Sequence, residues 1–237
     1  MAKAQEKNSR TALLVGEAGI ERLARARVAV FGIGGVGGFA VEALARAGVG
    51  ALDLFDPDTV SESNINRQIL ALHSTVGQYK TDGAAARVAD IDPTITVRTS
   101  HLFYLPENAG EVDLSVYDYI VDAVDTVAAK VELARRAGEA GVPIISSMGT
   151  GNKLDAAAFR VDDISKTSVC PLARTMRGLC KKAGIKRLRV VWSPEEPRHV
   201  TLPPEHGRHA PGSIAPVPAA AGMILAAEVL RGLLGEV

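Results

Sequence analysis

Short runs of apolar, mostly β-branched residues alternate along the first part of the chain with longer stretches of helical period. The apolar runs predict strands at residues 28–31, 51–55, 95–99, 117–121 and 142–146. The stretches between them predict helices at residues 36–47, 78–91 and 127–140. This alternation predicts an α/β, Rossmann-like, doubly wound and mostly parallel sheet. Nearly continuous apolar strands indicate that helices cover both of its faces.

Both ends of the chain add to this unit. Residues 11–24 are predicted as a helix that Gly16 and Gly19 interrupt. After about residue 150 we expect an additional C-terminal strand and helix region. It comprises an extended stretch at 156–161, a strand at 189–192, a Pro-rich loop at 193–218 and a helix at 217–234. No repeat or sharp boundary divides the chain, so a single domain over 1–237 is predicted.

Composition narrows the class of protein. The chain has 237 residues, 47% of them hydrophobic, and Lys+Arg and Asp+Glu are both 27, so no global polyelectrolyte partner is implied. Cys170 and Cys180 form neither a disulfide framework nor a Cys-x-x-Cys zinc pair, which is typical of a reducing cytosol.

The N-terminus has no secretory signal, and the apolar residues 214–234 are interpreted as a buried helix. We therefore expect a cytoplasmic protein with no membrane partner.

A glycine-rich loop follows the first predicted strand. Gly32, Gly34, Gly35 and Gly37 form a Gly-x-Gly-x-x-Gly pattern that opens a helix, where backbone amides bind phosphate. Asp56 ends the second strand, where a carboxylate accepts hydrogen bonds from ribose hydroxyls. Taken alone, the pattern fits NAD, FAD, S-adenosylmethionine or ATP.

Four further polar residues favour ATP over NAD. Asn64, Arg67, Lys80 and Asp125 follow the glycine loop, and Asp125 comes just past the fourth strand. Adenylyl transfer develops negative charge on the phosphates, which fixed cations and Mg²⁺ must meet, whereas a dehydrogenase needs no such set. The alternatives are that Arg67 and Lys80 are solvated surface charges, and that Asp122 and Asp125 cap the next helix.

These motifs, in this order and spacing, resemble the ubiquitin-activating-enzyme-like adenylyltransferase family that includes the ThiF and MoeB proteins. The matching segments are Gly32-Ile33-Gly34-Gly35-Val36-Gly37, Leu54-Phe55-Asp56-Pro57-Asp58-Thr59-Val60, Ser63-Asn64-Ile65-Asn66-Arg67-Gln68, Val76-Gly77-Gln78-Tyr79-Lys80 and Val121-Asp122-Ala123-Val124-Asp125-Thr126. They span about two thirds of the chain.

The resemblance implies a role for each matching position. The glycine loop, Asp56 and Asp58 bind the nucleotide, and Asp125 binds Mg²⁺ and is needed for adenylation. The phosphate-handling residues are Asn64, Arg67 and Lys80, with Gln68 near them. Arg10 matches an arginine that reaches into the partner subunit's site, which implies a homodimer; the alternative is an exposed arginine near a frayed terminus. The nucleotide-binding part is then about 1–150, and about 151–237 faces the substrate.

The second half resembles the tRNA threonylcarbamoyladenosine dehydratase branch of this family. The zinc-binding Cys pairs of carrier-protein activators are missing, and residues 168–177, 190–195 and 212–222 match the dehydratases. The resemblance implies that ATP activates the carboxylate of threonylcarbamoyladenosine on tRNA, which then cyclises with release of AMP and pyrophosphate. It also implies a monovalent cation, K⁺ or Na⁺, and leaves open a cysteine desulfurase partner. The alternatives are an activator of a ubiquitin-like sulfur-carrier protein and a nicotinamide-dependent or non-catalytic Rossmann module.

A basic run without acidic residues supports an RNA partner. Phosphate backbones attract such local charge, although solvated helix faces carry it too. Cys170 and Cys180 are interpreted as small buried hydrophobic residues rather than nucleophiles. The predicted tRNA-binding residues are Arg174, Arg177, Lys181, Lys182, Lys186, Arg187 and Arg189.

Overall fold

The computed structural model describes residues 2–199 and 211–236, and its α/β architecture confirms the predicted fold class. The strands are β1 Arg27–Phe31, β2 Ala51–Phe55, β3 Thr96–Ser100, β4 Tyr119–Asp122, β5 Ile144–Ser147, β6 Arg160–Asp163 and β7 Arg189–Trp192. The helices are α1 Ala2–Arg25, α2 Gly37–Arg46, α3 Lys80–Ile91, α4 Val127–Ala140, α5 Pro171–Lys182 and α6 Pro216–Leu234. The 7-stranded sheet has the order β3-β2-β1-β4-β5-β7-β6, and all neighbours are parallel except β6 and β7.

Alternate residues of the central strand serve two separate cores. In β1, Val30 packs into a cluster with Leu225 of α6, whereas Phe31 packs with Leu133 of α4 on the other face. Successive side chains of a strand point to opposite faces, so a strand covered on both sides is apolar at most positions. This explains the nearly continuous apolar runs in the sequence, in which the buried exceptions Asp53 and Asp122 are ion-paired.

Most predicted elements lie within two residues of their observed bounds. Helix α4 ends as predicted, because Gly141 adopts a left-handed conformation with φ of 70° and closes the last turn. The amide of Val142 then donates to the carbonyl of Ala137, 3.0 Å away, which completes the helix end. Strand β5 therefore begins at Ile144 and not at 142 as predicted.

Helix α1 is longer than the predicted 11–24. It spans Ala2–Arg25 and is kinked at Gly16, whose φ of 71° and ψ of 170° are not helical. Leu13 and Leu14 lie just before the kink and are 87% and 88% exposed. The N-terminal part of α1 thus presents apolar side chains to solvent.

The region after residue 150 departs most from prediction. The extended stretch predicted at 156–161 begins as a 3₁₀ turn, since the Asp155 carboxylate accepts from the amide of Ala157, and β6 follows only at Arg160. Helix α5 was not predicted, because its buried face is limited to Ala173, Met176 and Cys180. In the Pro-rich stretch, residues 193–199 and 211–215 contain no helix or strand. The loop was predicted to continue to residue 218, but α6 already begins at Pro216. Residues 200–210 lie outside the described residues.

Helix α6 is long and apolar enough to cross a membrane by composition alone. Its residues Val217, Ala221, Leu225 and Val229 are nevertheless fully buried inside the protein. Gly222 allows α6 to lie directly against α2, since a Cβ there would sit 2.2 Å from the carbonyl oxygen of Val36. The apolar composition of α6 is accounted for by this core position.

Candidate active site

The carboxyl ends of the central strands place the predicted nucleotide-binding residues together. Phe31 of β1 is in register with Phe55 of β2 and with Asp122 of β4, so the loops that follow leave the sheet side by side. Ligands bind at this edge in open α/β sheets. A cleft of about 670 Å³ opens there, and it is lined by Gly32, Gly34, Gly35, Asp56, Asp58, Asn64, Arg67, Gln68, Lys80 and Asp125.

The glycine loop is packed so tightly that side chains are excluded at two of its positions. Gly32 has a φ of 85°, and a Cβ there would lie 2.6 Å from the carbonyl oxygen of Ala123. Gly37 opens α2 behind the loop, and a Cβ on it would lie 1.7 Å from the carbonyl oxygen of Gly32. This packing brings the N-terminus of α2 to the cleft, where its amides suit an anionic ligand.

Asp56 links the glycine loop to the loop after β2. Its Oδ2 accepts from the amide of Ile33 at 2.6 Å, and its Oδ1 accepts from the amide of Asp58 at 2.9 Å. Each oxygen retains capacity to accept a further hydrogen bond, as a ribose hydroxyl would require. Burial raises the pKa of Asp56 above its ordinary value, against the opposing influence of Lys80 and the two amides.

Lys80 begins α3 and lies in the wall of the cleft. Its side chain is buried, and Nζ lies 2.6 Å from Oδ2 of Asp58 and 3.7 Å from Oδ1 of Asp56. The alternative that Lys80 is a charge on a solvated helix face is therefore wrong. Because Asp58 is largely exposed, a phosphate can replace it beside the ammonium at small desolvation cost.

The loop between β2 and α3 also lines the cleft, through Asn64, Arg67 and Gln68. Asn64 is buried, and its Oδ1 accepts from the amide of Ser61 at 3.2 Å, which fixes the turn. Arg67 is half-buried, and its Nη1 donates to the carbonyl of Ser63 at 2.9 Å and to Oδ1 of Asn66 at 2.8 Å. Gln68 lies over Gly34, and its buried Oε1 has no hydrogen-bond partner among the described residues.

Asp125 presents an exposed carboxylate to the cleft. It is not the cap of α4, since the N-cap position belongs to Thr126. Within residues 2–199 and 211–236, no three His, Cys, Asp or Glu side chains converge as a metal site. Mg²⁺ takes one or two carboxylates and completes its shell with phosphate oxygens and water. The single exposed carboxylate of Asp125 fits a site of that type, in which a bound nucleotide would supply the phosphate oxygens.

Asp122 belongs to a buried ion pair beneath the cleft and is not a helix cap. Lys130 of α4 places Nζ 3.0 Å from both carboxylate oxygens, and both side chains are fully buried. Ser146 of β5, the register neighbour of Asp122, donates to Oδ2 at 2.5 Å. The amide of Val124 donates to Oδ1 at 3.2 Å. The pair therefore holds the loop that carries Asp125.

Two groups of cleft residues were not predicted from the sequence. Residues 102–104 supply an apolar slot beside β2, and burial raises the pKa of Tyr104 there. Residues 147–151, Leu172, Pro211 and Ser213 line the other end. All but Ser147, the last residue of β5, and Leu172 of α5 lie in segments without regular structure. A helix or strand period, the main sequence signal, does not extend into such segments.

The predicted tRNA-binding residues fall into two classes. Arg177 donates through Nη1 to the carbonyl and the hydroxyl oxygen of Thr167, and Arg189 is paired with the buried Glu228. The exposed class, on α5 and in the loop after it, consists of Arg174, Lys181, Lys182, Lys186 and Arg187. Arg10 is exposed on α1 and does not line the cleft.

The cysteines lie in the core as predicted. Cys170 and Cys180 are free thiols, and both are buried with Met176 and Trp192. Burial raises the pKa of the Cys180 thiol. A raised pKa disfavours the thiolate, which is the nucleophilic form.

The fold and the cleft define a Rossmann-like protein of the nucleotide-binding type, with a glycine loop and charged side chains lining one cleft. The model of the ThiF family matches residues 8–237, and the chain belongs to this family. It is 42% identical over 241 residues to the tRNA threonylcarbamoyladenosine dehydratase of Bacillus subtilis, covering 97% of this chain and 95% of that protein. It is 32% identical over 200 residues to the molybdopterin-synthase adenylyltransferase of Salmonella typhimurium, covering 83% and 80%.

The solved structures agree with this assignment. The Escherichia coli tRNA N6-threonylcarbamoyladenosine dehydratase in complex with ATP superposes with a TM-score of 0.90 at 32% identity, covering 98% of this chain and 95% of that chain. The predicted family is therefore confirmed.

Proposed function

We propose that this chain is an ATP-dependent tRNA threonylcarbamoyladenosine dehydratase. The observation that carries the proposal is the assembly of Asp56, Arg67, Lys80 and Asp125 around one cleft in a chain 42% identical to a dehydratase along nearly its whole length. The reaction activates a carboxylate as an acyl adenylate and then closes a ring.

The nucleotide lies along the strand ends in this proposal. Asp56 accepts from the ribose hydroxyls, and the apolar slot at 102–104 takes the adenine ring. The amides of the glycine loop and of the first turn of α2 bind the phosphates. Asn64 and Gln68 lie beside them, and the orphaned Oε1 of Gln68 has capacity for a ligand donor.

Adenylation is a displacement at the α-phosphorus. A carboxylate oxygen of the substrate bonds to phosphorus, and the bond to pyrophosphate breaks. Arg67 and Lys80 stabilise the charge that passes to pyrophosphate, for which Lys80 exchanges Asp58 for a phosphate oxygen. Mg²⁺, held by Asp125, would neutralise further phosphate charge when it is bound.

Ring closure needs no nucleophile from the protein. The carbamoyl nitrogen of the substrate attacks the acyl carbon, its proton passes to solvent, and AMP leaves with one of the original carboxylate oxygens. The net result is loss of one water from the substrate. The two reacting groups belong to one molecule, so orientation in the cleft supplies much of the rate. Burial of Cys170 agrees with a mechanism without a thioester.

The tRNA is proposed to contact the exposed basic residues of α5 and the following loop. Leu172, in the first turn of α5, lines the cleft, so Arg174 lies within one helical turn of a cleft residue and Lys181 lies about two turns further along. We assign Arg177 and Arg189 a supporting role, since protein partners hold their guanidinium groups.

A homodimer is also proposed, in which Arg10 reaches the cleft of the partner subunit. The apolar side chains of Leu13 and Leu14, exposed beside Arg10, support this, because a second copy would bury them. A shift to monomer in Leu13→Asp/Leu14→Asp, measured by light scattering, is the expected result. An unchanged mass would refute this interface.

Three features stay predictions. A cytoplasmic location rests on the cysteine usage and on the polar N-terminal sequence. A K⁺ or Na⁺ ion beside the nucleotide and a cysteine desulfurase partner rest on the family resemblance alone. The division into a nucleotide-binding part at about 1–150 and a substrate-facing part at about 151–237 is supported by the cleft, whose glycine loop, Asp56 and Asp125 all precede residue 150.

Activation of a ubiquitin-like sulfur carrier is the second candidate. Its support is the 32% identity to a molybdopterin-synthase adenylyltransferase. With Cys170 and Cys180 as the only cysteines, the chain lacks the two zinc-binding pairs that carrier activators have. A stable adenylate on a carrier protein would favour this candidate.

The test supplies the purified protein with ATP, Mg²⁺ and tRNA from a strain without its own dehydratase. We expect AMP formation that requires the tRNA, and a threonylcarbamoyladenosine nucleoside lighter by one water in mass spectrometry. AMP formation with a carrier protein and none with tRNA would replace the proposal by the second candidate.

A further inference from the structure

A short segment, residues 211–213, forms one wall of the cleft and is tied to both neighbouring loops. Pro211 and Ser213 line the cleft directly. On one side, Oδ1 of Asn152 accepts from the amide of Gly212 at 2.6 Å, and the amide of Asn152 donates to the carbonyl of Gly212 at 2.7 Å. On the other side, Nδ2 of Asn66 donates to the carbonyl of Ser213 at 3.0 Å. Residues 211–213, which we call the wall, are thus hydrogen-bonded to an asparagine on each side, Asn152 and Asn66.

Asn152 has a conformation that few residues adopt. Its φ is 59°, in the left-handed region where Gly, Asn and Asp are favoured. Its carbonyl also accepts from the amide of Arg198 at 2.8 Å, so one residue binds the chain at both 198 and 212. Glycine would adopt this backbone equally well but has no side-chain acceptor for Gly212. The side chain of Asn152 therefore adds a contact that the turn itself does not need.

The loop of Asn152 also packs against the wall. A Cβ on the neighbouring Gly151 would lie 2.6 Å from Cβ of Pro211, so no side chain fits between them. Close packing and three hydrogen bonds to Asn152 and Asn66 together determine where the wall lies relative to the cleft.

The position of the wall along the sheet edge indicates which ligand it faces. Asp56 follows β2, the glycine loop follows β1, Asp125 follows β4, and the loop of Asn152 follows β5. Strands lie about 4.8 Å apart, so β5 is about 14 Å from β2. With the ribose at Asp56 and the phosphates at the glycine loop, the space at the end of β5 lies beyond the nucleotide.

We propose that Asn152 is a positioning residue for the substrate carboxylate, and that it acts by holding the wall at residues 211–213 beside the α-phosphate. This rests on the proposed dehydratase function. Asn66 ties the same wall to nucleotide handling, because its Oδ1 also accepts from Arg67. The two asparagines are therefore expected to act on different substrates. Asn152 should influence binding of the tRNA-borne substrate, and Asn66 should influence binding of both that substrate and ATP.

The test compares Asn152→Gly with Asn152→Asp in assays of ATP binding and of tRNA-dependent AMP formation. Asn152→Gly keeps the backbone conformation and removes one hydrogen bond, so we expect the KM for tRNA to rise about five- to ten-fold. The Kd for ATP and the melting temperature should stay near wild type. Asn152→Asp keeps the acceptor and should recover most of the loss. Asn66→Ala should weaken ATP binding and also raise the KM for tRNA.

Asp113→Gly is the matched control, since Asp113 makes the same type of contact, from the amide of Ser115 to its Oδ1, and does not line the cleft. Equal KM values for tRNA in wild type and Asn152→Gly would overturn the inference. So would a parallel loss of ATP affinity and melting temperature in Asn152→Gly, which indicates a structural role alone. A wild-type protein that forms no AMP with modified tRNA refutes the proposed function itself, a distinct outcome.

Discussion

The buried pair of Asp122 and Lys130 gives the sharpest prediction on stability. In Lys130→Met the carboxylate of Asp122 keeps only the Ser146 hydroxyl and the Val124 amide as partners. Removing one member of a buried ion pair costs about 3–5 kcal/mol, because the other charge is left uncompensated. In a domain of this size, at about 2–4 °C per kcal/mol, the melting temperature should fall by roughly 6–20 °C.

The double variant Asp122→Asn/Lys130→Met separates charge from packing. It removes both charges, and the amide oxygen of Asn still accepts from Val124, so we expect stability within about 2 kcal/mol of wild type. Urea unfolding of wild type, both single variants and the double variant measures the coupling. Glu21→Gln, which breaks the exposed pair with Arg25, is the control and should cost less than about 1 kcal/mol. A loss under about 1 kcal/mol in Lys130→Met, or additive losses in the double variant, would refute the reasoning.

Three further predictions concern the cleft and the basic surface. Asp125→Ala should abolish tRNA-dependent AMP formation, and its unchanged circular dichroism and melting temperature should show that the fold is intact; retained turnover would remove Asp125 from the mechanism. Burial raises the pKa of Asp56 above 3.8 in the folded protein. Its protonated form therefore stabilises the nucleotide-free protein below pH 3.8, and this stabilisation is lost as the pH rises through the folded-state pKa. ATP affinity should rise over the same interval, because the ionised carboxylate accepts from ribose; calorimetry showing a flat profile would contradict this. Arg174→Ala and Lys181→Ala should each reduce the slope of log KM for tRNA against log salt by about one. Arg189→Ala should leave the slope unchanged and lower stability instead, since the buried carboxylate of Glu228 then keeps only Arg231 as an ion-pair partner.

The regular part of the fold was predictable because its signals are local. Helix α4 has its apolar period and its terminal Gly141 within one stretch, and β2 is an apolar run interrupted only by Asp53, so both have the predicted bounds. The residues at the strand ends, such as Asp56 and Asp125, followed from the same pattern. Parallel strands in register bring their carboxyl ends to one edge, and the cleft lies there.

The parts that were missed depend on contacts between distant residues. Asp122 resembled a helix cap in sequence, and only the packing of α4 on the sheet brings Lys130 to it. Helix α5 has a narrow apolar face, and the sequence signals that identify it are Pro171 in its first turn and the spacing of Ala173, Met176 and Cys180. The wall at 211–213 lies 60 residues from Asn152 along the chain, and no local pattern predicts that contact.

The most direct test of the account follows a heavy-oxygen label from the substrate carboxylate. Threonylcarbamoyladenosine tRNA prepared with labelled threonine is reacted with the protein, ATP and Mg²⁺, and the phosphate-containing products are examined by mass spectrometry. Attack of the carboxylate on the α-phosphorus predicts that one labelled oxygen appears in AMP. Label in inorganic phosphate, with ADP as the other product, would show an acyl phosphate in place of an adenylate and would contradict the account.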